Sequence, residues 1–540
     1  MKKIAVIDCE TDPAVNGRVP EPFIWGYYDG ENYEQFDNAI DLVVFLYTRD
    51  EIVYAHNGGK FDYHFLLDFI DPYSDVMIIS GRIAKFCIGD CEFRDSLNII
   101  PTALSAFEKD DFDYSLMEKE LREIPENRKK IERYLYSDCI NLYNYVMKFI
   151  DKFGINLTVA GTALKEWQKI SGLKPPNDEN GELYARFKKY YYGGRCQAFR
   201  TGIIDREFSM VDINSAYPYA MLRKHPYSTK FISLSEEEFC RLGEDEKGPC
   251  LVSVRCLSFG ALPVRNLDNS LSYPDDNVLR VYHVTGWELL AGLETKTIKN
   301  PEIIACYSSV ELQDFSCYMN RFYNERLLAK KNGDKAESIF CKLMMNSLYG
   351  KFSTNPSKYK KYKVIDPAIL EEEYYHDYEK SESWLYAGPF GSNCLVAKNL
   401  DDYEKNFYNI ATAASITGFV RGFLWRAMCA CDDLIYCDTD SIAAEVVGGV
   451  PNGFGDNLGQ WSVDGEFSGG GCGGRKMYAF RRKSGGVGYK TACKGANLSA
   501  KKILEVASGK TVTYKPDFPT FTIHKEPYFQ DRKIKMTKRG

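Results

Sequence analysis

No apolar run in these 540 residues reaches the roughly 20 residues that cross a bilayer, so the sequence predicts no membrane-spanning helix. The first residues, Met1, Lys2 and Lys3, carry the charge of a secretory leader, but Asp8 and Glu10 fall where a leader keeps its apolar core. A cytosolic protein is the expectation. The 17 Cys stand singly among apolar residues. Close spacings such as Cys87 with Cys91, or Cys429 with Cys431, lack the second pair that a zinc site needs, so reduced packing thiols are expected. No internal repeat or low-complexity tract is visible. An excess of positive charge is also missing, the formal net charge being −6. That excludes little, because nucleic-acid binding depends on where charge lies, and surface charges more than about 8 to 10 Å apart are screened.

What is present is a soluble globular composition, 44% hydrophobic, 14% aromatic and 27% charged. The length implies about two to four domains. Basic residues cluster late, at Arg475, Lys476, Arg481, Arg482, Lys483 and Lys490 and again over residues 532–539. Acid gathers at residues 236–238 and 371–373.

Residues 434–442 set two carboxylates, Asp438 and Asp440, between apolar, β-prone flanks, which predicts a hairpin with acid at its tip. Such carboxylates repel unless a cation lies between them, and oxygen ligands favour magnesium or manganese. Asp-Thr-Asp alone is equally a polar turn. Upstream, an apolar strand over residues 208–213 delivers Asp212 at its end and turns into a predicted helix, so Asp212 can complete the cluster. Between them, Lys342, Asn346 and Tyr349 share one helix face by spacings of four and three. Lys342 suits a triphosphate, Tyr349 a base pair, and Gly350 allows a strand to approach closely. In this order the three stretches resemble motifs A, B and C of family B DNA polymerases.

Near the N-terminus, strand alternation puts Asp8 and Glu10 on one side, a ready pair of metal ligands. Asp62 follows a glycine turn after Asn57, and Tyr134 and Asp138 face the same way on a predicted helix. Together these resemble the three motifs of DnaQ-like 3′-5′ exonucleases, which use two metals about 3.5 to 4 Å apart. The resemblance makes Asp8, Glu10, Asp62 and Asp138 the metal ligands and Tyr134 the residue that orients the attacking water. It also makes Thr11, Asn57, Phe61, Ser96 and Leu97 single-strand ligands, and Lys109 a catalytic lysine of the protein-primed branch.

The Pro-, Gly- and Asn-rich segment after residue 170 reads as a linker. Beyond it, Tyr191, Gly193 and Gly194 resemble the Tyr-x-Gly-Gly stretch that binds the template strand. Thr417 and Arg421 are similar to a DNA-binding motif of the family. Lys476 and Tyr478 resemble its Lys-x-Tyr motif, which holds the primer. Lys330 resembles a second triphosphate-binding lysine, although a solvated helix face explains a lone lysine as well. Tyr217, five residues after Asp212, would lie under the sugar and exclude a 2′-hydroxyl. Ile213 joins the nucleotide and metal site.

The resemblance covers nearly the whole chain and implies a protein-primed family B DNA polymerase of small tailed phages and linear plasmids. The implied fold is a multidomain α/β and α+β one: a ribonuclease-H-like exonuclease domain followed by a right-hand polymerase of palm, fingers and thumb. The expected layout is exonuclease 1–170, linker 171–189, palm 190–224, a first insertion 225–315, fingers 316–352, a second insertion 353–405, palm 406–494 and thumb 495–540. The two insertions would contact the priming protein and close around DNA for strand displacement. Two magnesium or manganese ions per site are implied. The implied partners are DNA template and primer, dNTPs, a terminal priming protein and a single-stranded DNA-binding protein, with the chain a monomer in host cytoplasm. Rival readings are a nucleic-acid-primed family B polymerase, against which the early start of the exonuclease counts, an inactive scaffold and a nuclease that grips DNA.

Overall fold

The structure, a computed structural model, describes residues 2–537 except 16, 105–111, 175, 177, 179, 180, 356–358, 401–408 and 484–487. Lys109 therefore lies outside the described residues.

The N-terminal region is built on the strand Lys3–Thr11, which pairs antiparallel with Pro22–Tyr28 and parallel with Glu51–Ala55. The helix Pro125–Phe153 lies across this sheet. Pro125 opens it, where a missing N–H costs nothing. Ile131, Leu135, Leu142, Val146 and Phe149 form its buried stripe at helical spacing. The helix comes close because Gly26 faces it: a Cβ there would lie 2.8 Å from Cys139 Sγ.

Four later strands, Lys360–Ile365, Tyr374–Asp377, Glu382–Phe390 and Asn393–Asn399, extend the same sheet to 11 strands. The join is the register Tyr362 to Val76 and Lys363 to Asp75. The segment expected as the second insertion is thus continuous with the N-terminal sheet.

A separate eight-stranded sheet centres on Phe208–Ile213, flanked by Ser441–Val446 and Trp461–Gly474. Behind it runs Ile410–Cys429, a helix buried on nearly all sides, as its small and apolar residues allow. The first insertion folds as its own four-stranded sheet: Phe231–Leu234, Ile298–Ser309, Leu251–Ser258 and Arg280–Thr285. Ser316–Lys331 and Lys335–Phe352 form a helical pair. The helix Val159–Ser171 packs on both, with Trp167 against Phe315 and Tyr318. The segment expected as a linker carries the helix Glu182–Phe187, whose Leu183 and Phe187 are buried and whose first turn is capped by Asp178.

Near the C-terminus, Ala500–Ala507 lies against the eight-stranded sheet. The hairpin of Thr520–Thr522 and Lys525–Tyr528 reaches back to the N-terminal region: Lys60 donates to Phe521 O, and Phe518 and Phe521 pack on Phe61. Among the described residues no helix is long and apolar enough to cross a membrane.

Candidate active sites

In the eight-stranded sheet, Asp212 ends the central strand and pairs in register with Ser441 on one side and Ser462 on the other. Asp438 and Asp440 flank the turn of the adjoining hairpin. The two motifs are stitched by backbone: Ile213 N–H donates to Asp440 O at 2.8 Å. Thr439, between the acids, is held at φ +62, a rare conformation for a β-branched residue. Its N–H donates to Arg195 O at 2.6 Å, and its side chain fills the space where Gly194 lacks one, 2.7 Å from the ideal Cβ position. Gly194 and the Arg195 carbonyl therefore seat the acidic turn, a closer link between the two motifs than their separation in sequence suggested.

Burial and the charge of Asp440 raise the carboxyl of Asp212 to about 7. Burial, with Asp438 beside it, raises Asp440 to about 6. The cation of Lys342 pulls both down, so its exposed side chain reaches the cluster electrostatically. Lys476 donates to both oxygens of Asp438, at 3.0 and 2.8 Å. Oxygen donors that repel one another and are partly desolvated are what a hard divalent cation relieves, so these residues fit the metal expected. Above them the ring of Tyr217 lies flat on that of Tyr349, centroids 4.0 Å apart and planes 8° from parallel. Asn346 is half-buried on the same helix, while Lys330 is exposed in the last turn of Ser316–Lys331.

At the N-terminal site the ligand atoms of Asp8, Glu10 and Asp138 lie within 4.8 Å of one another, as the strand alternation and the helix position required. This set too fits a hard cation. Asp62 stands outside that triad, buried in a short 3-10 turn; burial raises it to about 6, and the Cys9 thiol donates to it at 3.2 Å. Tyr134 is buried, its hydroxyl 2.9 Å from that of Tyr114. Phe61 is half-buried, packed by Phe518 and Phe521 of the C-terminal hairpin. Asn57, at φ +64, accepts from Arg82, which also binds the buried Asp95 at 2.7 Å. Thr11 and Leu97 are half-buried.

Four of the residues expected to bind DNA are buried. Ser96 is fully buried, its hydroxyl donating to Ala55 O and lying 2.9 Å from His56 Nδ1. Thr417 is buried and donates to the carbonyls of Ala413 and Ala414 within its own helix. Arg421 is buried too, paired with Glu288 at 2.8 Å and donating to the carbonyls of Tyr192 and Gly193. It holds the Tyr-x-Gly-Gly turn from behind. Tyr478 is packed in the sheet, stacked on Phe480 at 4.3 Å. Helix and strand periodicity do not say which face is covered by a distant segment. Arg82, Asp95, Arg195, Glu288 and the hairpin phenylalanines went unnoticed for the same reason, since only the fold brings them to the sites.

Residues 107–418 match the family model described as DNA polymerase type B, organellar and viral. The chain is 34% identical to the DNA-directed DNA polymerase of Enterobacteria phage PRD1, over 99% of this chain and 98% of that one. It belongs to the organellar and viral type B DNA polymerases. A probable DNA polymerase of Podospora anserina is 26% identical over 62% of this chain and 30% of its own length. In fold, the chain matches phi29 DNA polymerase complexed with primer-template DNA with a TM-score of 0.75, at 19% identity, covering 99% of this chain and 100% of that one. This type B polymerase is accordingly a DNA-directed DNA polymerase with an exonuclease-plus-right-hand fold, and it depends on divalent metal.

Proposed function

We propose that this polymerase copies linear viral or plasmid DNA from a protein primer, displacing the other strand and proofreading with its N-terminal site. The observation that carries the reading is the pair of insertions, one a separate four-stranded sheet within residues 231–309 and the other four strands added to the N-terminal sheet. Each interrupts the polymerase between its motifs, where a priming protein and the emerging strands need surface. In this layout residues 1–170 are the exonuclease, 190–224 and 406–494 the palm, 316–352 the fingers and 495–540 the thumb.

A primer hydroxyl attacks the α-phosphate of a dNTP, the bond to the leaving pyrophosphate breaks, and the chain grows by one nucleotide. Two magnesium or manganese ions per site, when bound, supply charge for the attacking and leaving oxygens. Asp212 and Asp440, with the Ile213 carbonyl, hold them in the palm, while Lys476 keeps Asp438 neutralised. Lys342, with Lys330 and Asn346 on the fingers, meets the triphosphate. Tyr217 and Tyr349 part to admit sugar and base, leaving Tyr217 against the 2′ position. Tyr191, Gly193 and Gly194 guide the template strand. At the other site Asp8, Glu10, Asp62 and Asp138 hold the metals, Tyr134 orients water, and Thr11, Asn57, Phe61 and Leu97 bind a frayed 3′ end. A single-stranded DNA-binding protein suits the displaced strand.

The test is a gel assay with purified protein, labelled dATP, magnesium and a candidate terminal protein. Label attached covalently to that protein, and absent with Asp440→Asn, is the expected result. Extension of a nucleic-acid primer with no protein labelling by any terminal protein encoded beside this chain would overturn protein priming.

A further inference from the structure

The helix that carries Tyr134 and Asp138 continues for several turns past them, and its far end grips the two fingers helices. Lys148 Nζ lies 2.8 and 2.7 Å from the carboxylate oxygens of Asp334, in the turn joining those helices. Asp334 in turn caps the second helix, accepting from Glu337 N–H at 3.0 Å. One turn further on, Lys152 donates to Glu325 Oε2 at 2.7 Å, on the first fingers helix, and to Glu337 on the second. Its side chain is 24% exposed. Apolar contacts back the polar ones: Phe149 meets Phe340 edge-on at 5.5 Å and Phe153 meets Phe322 at 6.2 Å.

Ligand atoms of Glu325, Glu337 and Cys341 lie within 4.8 Å of one another, a spacing that suits a cation. The Lys152 ammonium supplies it. Burial pulls the Lys152 pKa down, but its hydrogen bonds to Glu325 and Glu337 leave it above the ordinary value. Glu325, although burial pushes it up, is held below the carboxylate range by Lys152 and Arg321. Without this ammonium two partly desolvated carboxylates on separate helices would face each other and push the helices apart. Glu337 and Lys342 share one helix, little more than a turn apart. The angle between the fingers helices therefore sets where Lys342 stands relative to Asp212 and Asp440.

We propose that Lys152, a residue of the exonuclease helix, is a positioning residue for nucleotide binding by the polymerase: it clamps the two fingers helices so that Lys342 meets the triphosphate. The inference rests on the placement of Lys342 proposed above. Surface lysines usually contribute little, but one lysine shared by two carboxylates of different helices, backed by aromatic packing, is a different case.

Single-nucleotide insertion kinetics on a primed template test it, with degradation of single-stranded DNA as a parallel readout. Lys152→Met should raise KM for the dNTP roughly fivefold, leave kcat at saturating nucleotide within about twofold, and spare the exonuclease. Lys152→Arg should restore KM. A second variant, Glu325→Gln with Glu337→Gln, removes the clamp from the other side and should raise KM similarly, which keeps the test open if Lys152→Met folds poorly. An unchanged KM in both variants overturns the proposal. So does a joint loss of kcat, exonuclease and thermal stability without a selective KM change, which would make Lys152 a packing residue. Lys342→Ala separates the two readings: if it raises KM and Lys152→Met does not, the clamp fails alone, and if neither does, the placement of Lys342 fails first.

Discussion

In the N-terminal sheet, Asp8, Glu10 and Asp138 already hold their ligand atoms within 4.8 Å of one another, on a strand and a long helix packed face to face. In the C-terminal sheet, Asp212, Asp438 and Asp440 are not among the described residues gathered to that spacing. Lys476 occupies Asp438, and Tyr217 lies stacked on Tyr349. At the N-terminal site the fold itself gathers three of the four proposed carboxylates, with Asp62 outside them. Under the proposed function, a triphosphate would bring the oxygens that complete metal coordination at the C-terminal site and a base that displaces the stacked tyrosines. The contrast suits the proposed tasks, since a nuclease site would act on any strand that arrives and a polymerase site must respond to the correct nucleotide.

Breaking one site while sparing the other gives the largest effects. Asp8→Ala with Glu10→Ala should reduce degradation of single-stranded 3′ ends by about three orders of magnitude while primer extension survives. Gel assays of both activities on one preparation would show it, and equal loss of both would deny that the sites are separate. Asp440→Asn should lower extension by about two orders of magnitude or more, with DNA binding retained in a mobility-shift assay. Near-normal extension at saturating magnesium would remove Asp440 from the metal site.

The stacked tyrosines allow a finer test. Tyr217→Val removes the ring that would meet a 2′-hydroxyl, so insertion of GTP relative to dGTP should rise about 10-fold, the scale of a clash of roughly 1 to 3 kcal/mol. An unchanged ratio with a lower overall rate would make Tyr217 a packing residue only.

A smaller effect lies in the pH dependence of stability. In metal-free protein Asp212 stands at about 7 and Asp440 at about 6, both above the ordinary 3.8, so the folded chain keeps protons that the unfolded chain has released. Their contribution is full below pH about 4 and lost as pH rises through 6 to 7. In EDTA, Tm of the wild type should therefore fall between pH 5 and 8 by about 1 to 3 °C more than that of Asp212→Asn. Parallel melting curves would show that Asp212 is not held protonated.

Much of both sites was legible because their residues obey local periods. Asp8 and Glu10 follow the strand period of two, and Lys342, Asn346 and Tyr349 the helical spacing of four and three. Asp212 and the hairpin of Asp438 and Asp440 end strands whose apolar character marks them as central. Arg421 shows where such reading stops. Its helix was foreseen, but its partner Glu288 is 133 residues away, and only tertiary packing shows it as an internal brace. The same holds for Ser96 and Tyr478, covered by neighbours that no local pattern names. That the second insertion would continue the N-terminal sheet was equally invisible, since strand pairing between residues 75–76 and 362–363 leaves no trace in either segment alone.

The most direct measurement of the contrast between the sites is Mn2+ binding, followed by electron paramagnetic resonance with and without dNTP and primed template. Without nucleotide, the account predicts binding that Asp8→Ala with Glu10→Ala abolishes and Asp440→Asn leaves in place; adding dNTP and primed template creates further binding that Asp440→Asn removes. Equal loss of the nucleotide-free binding in both variants would contradict it.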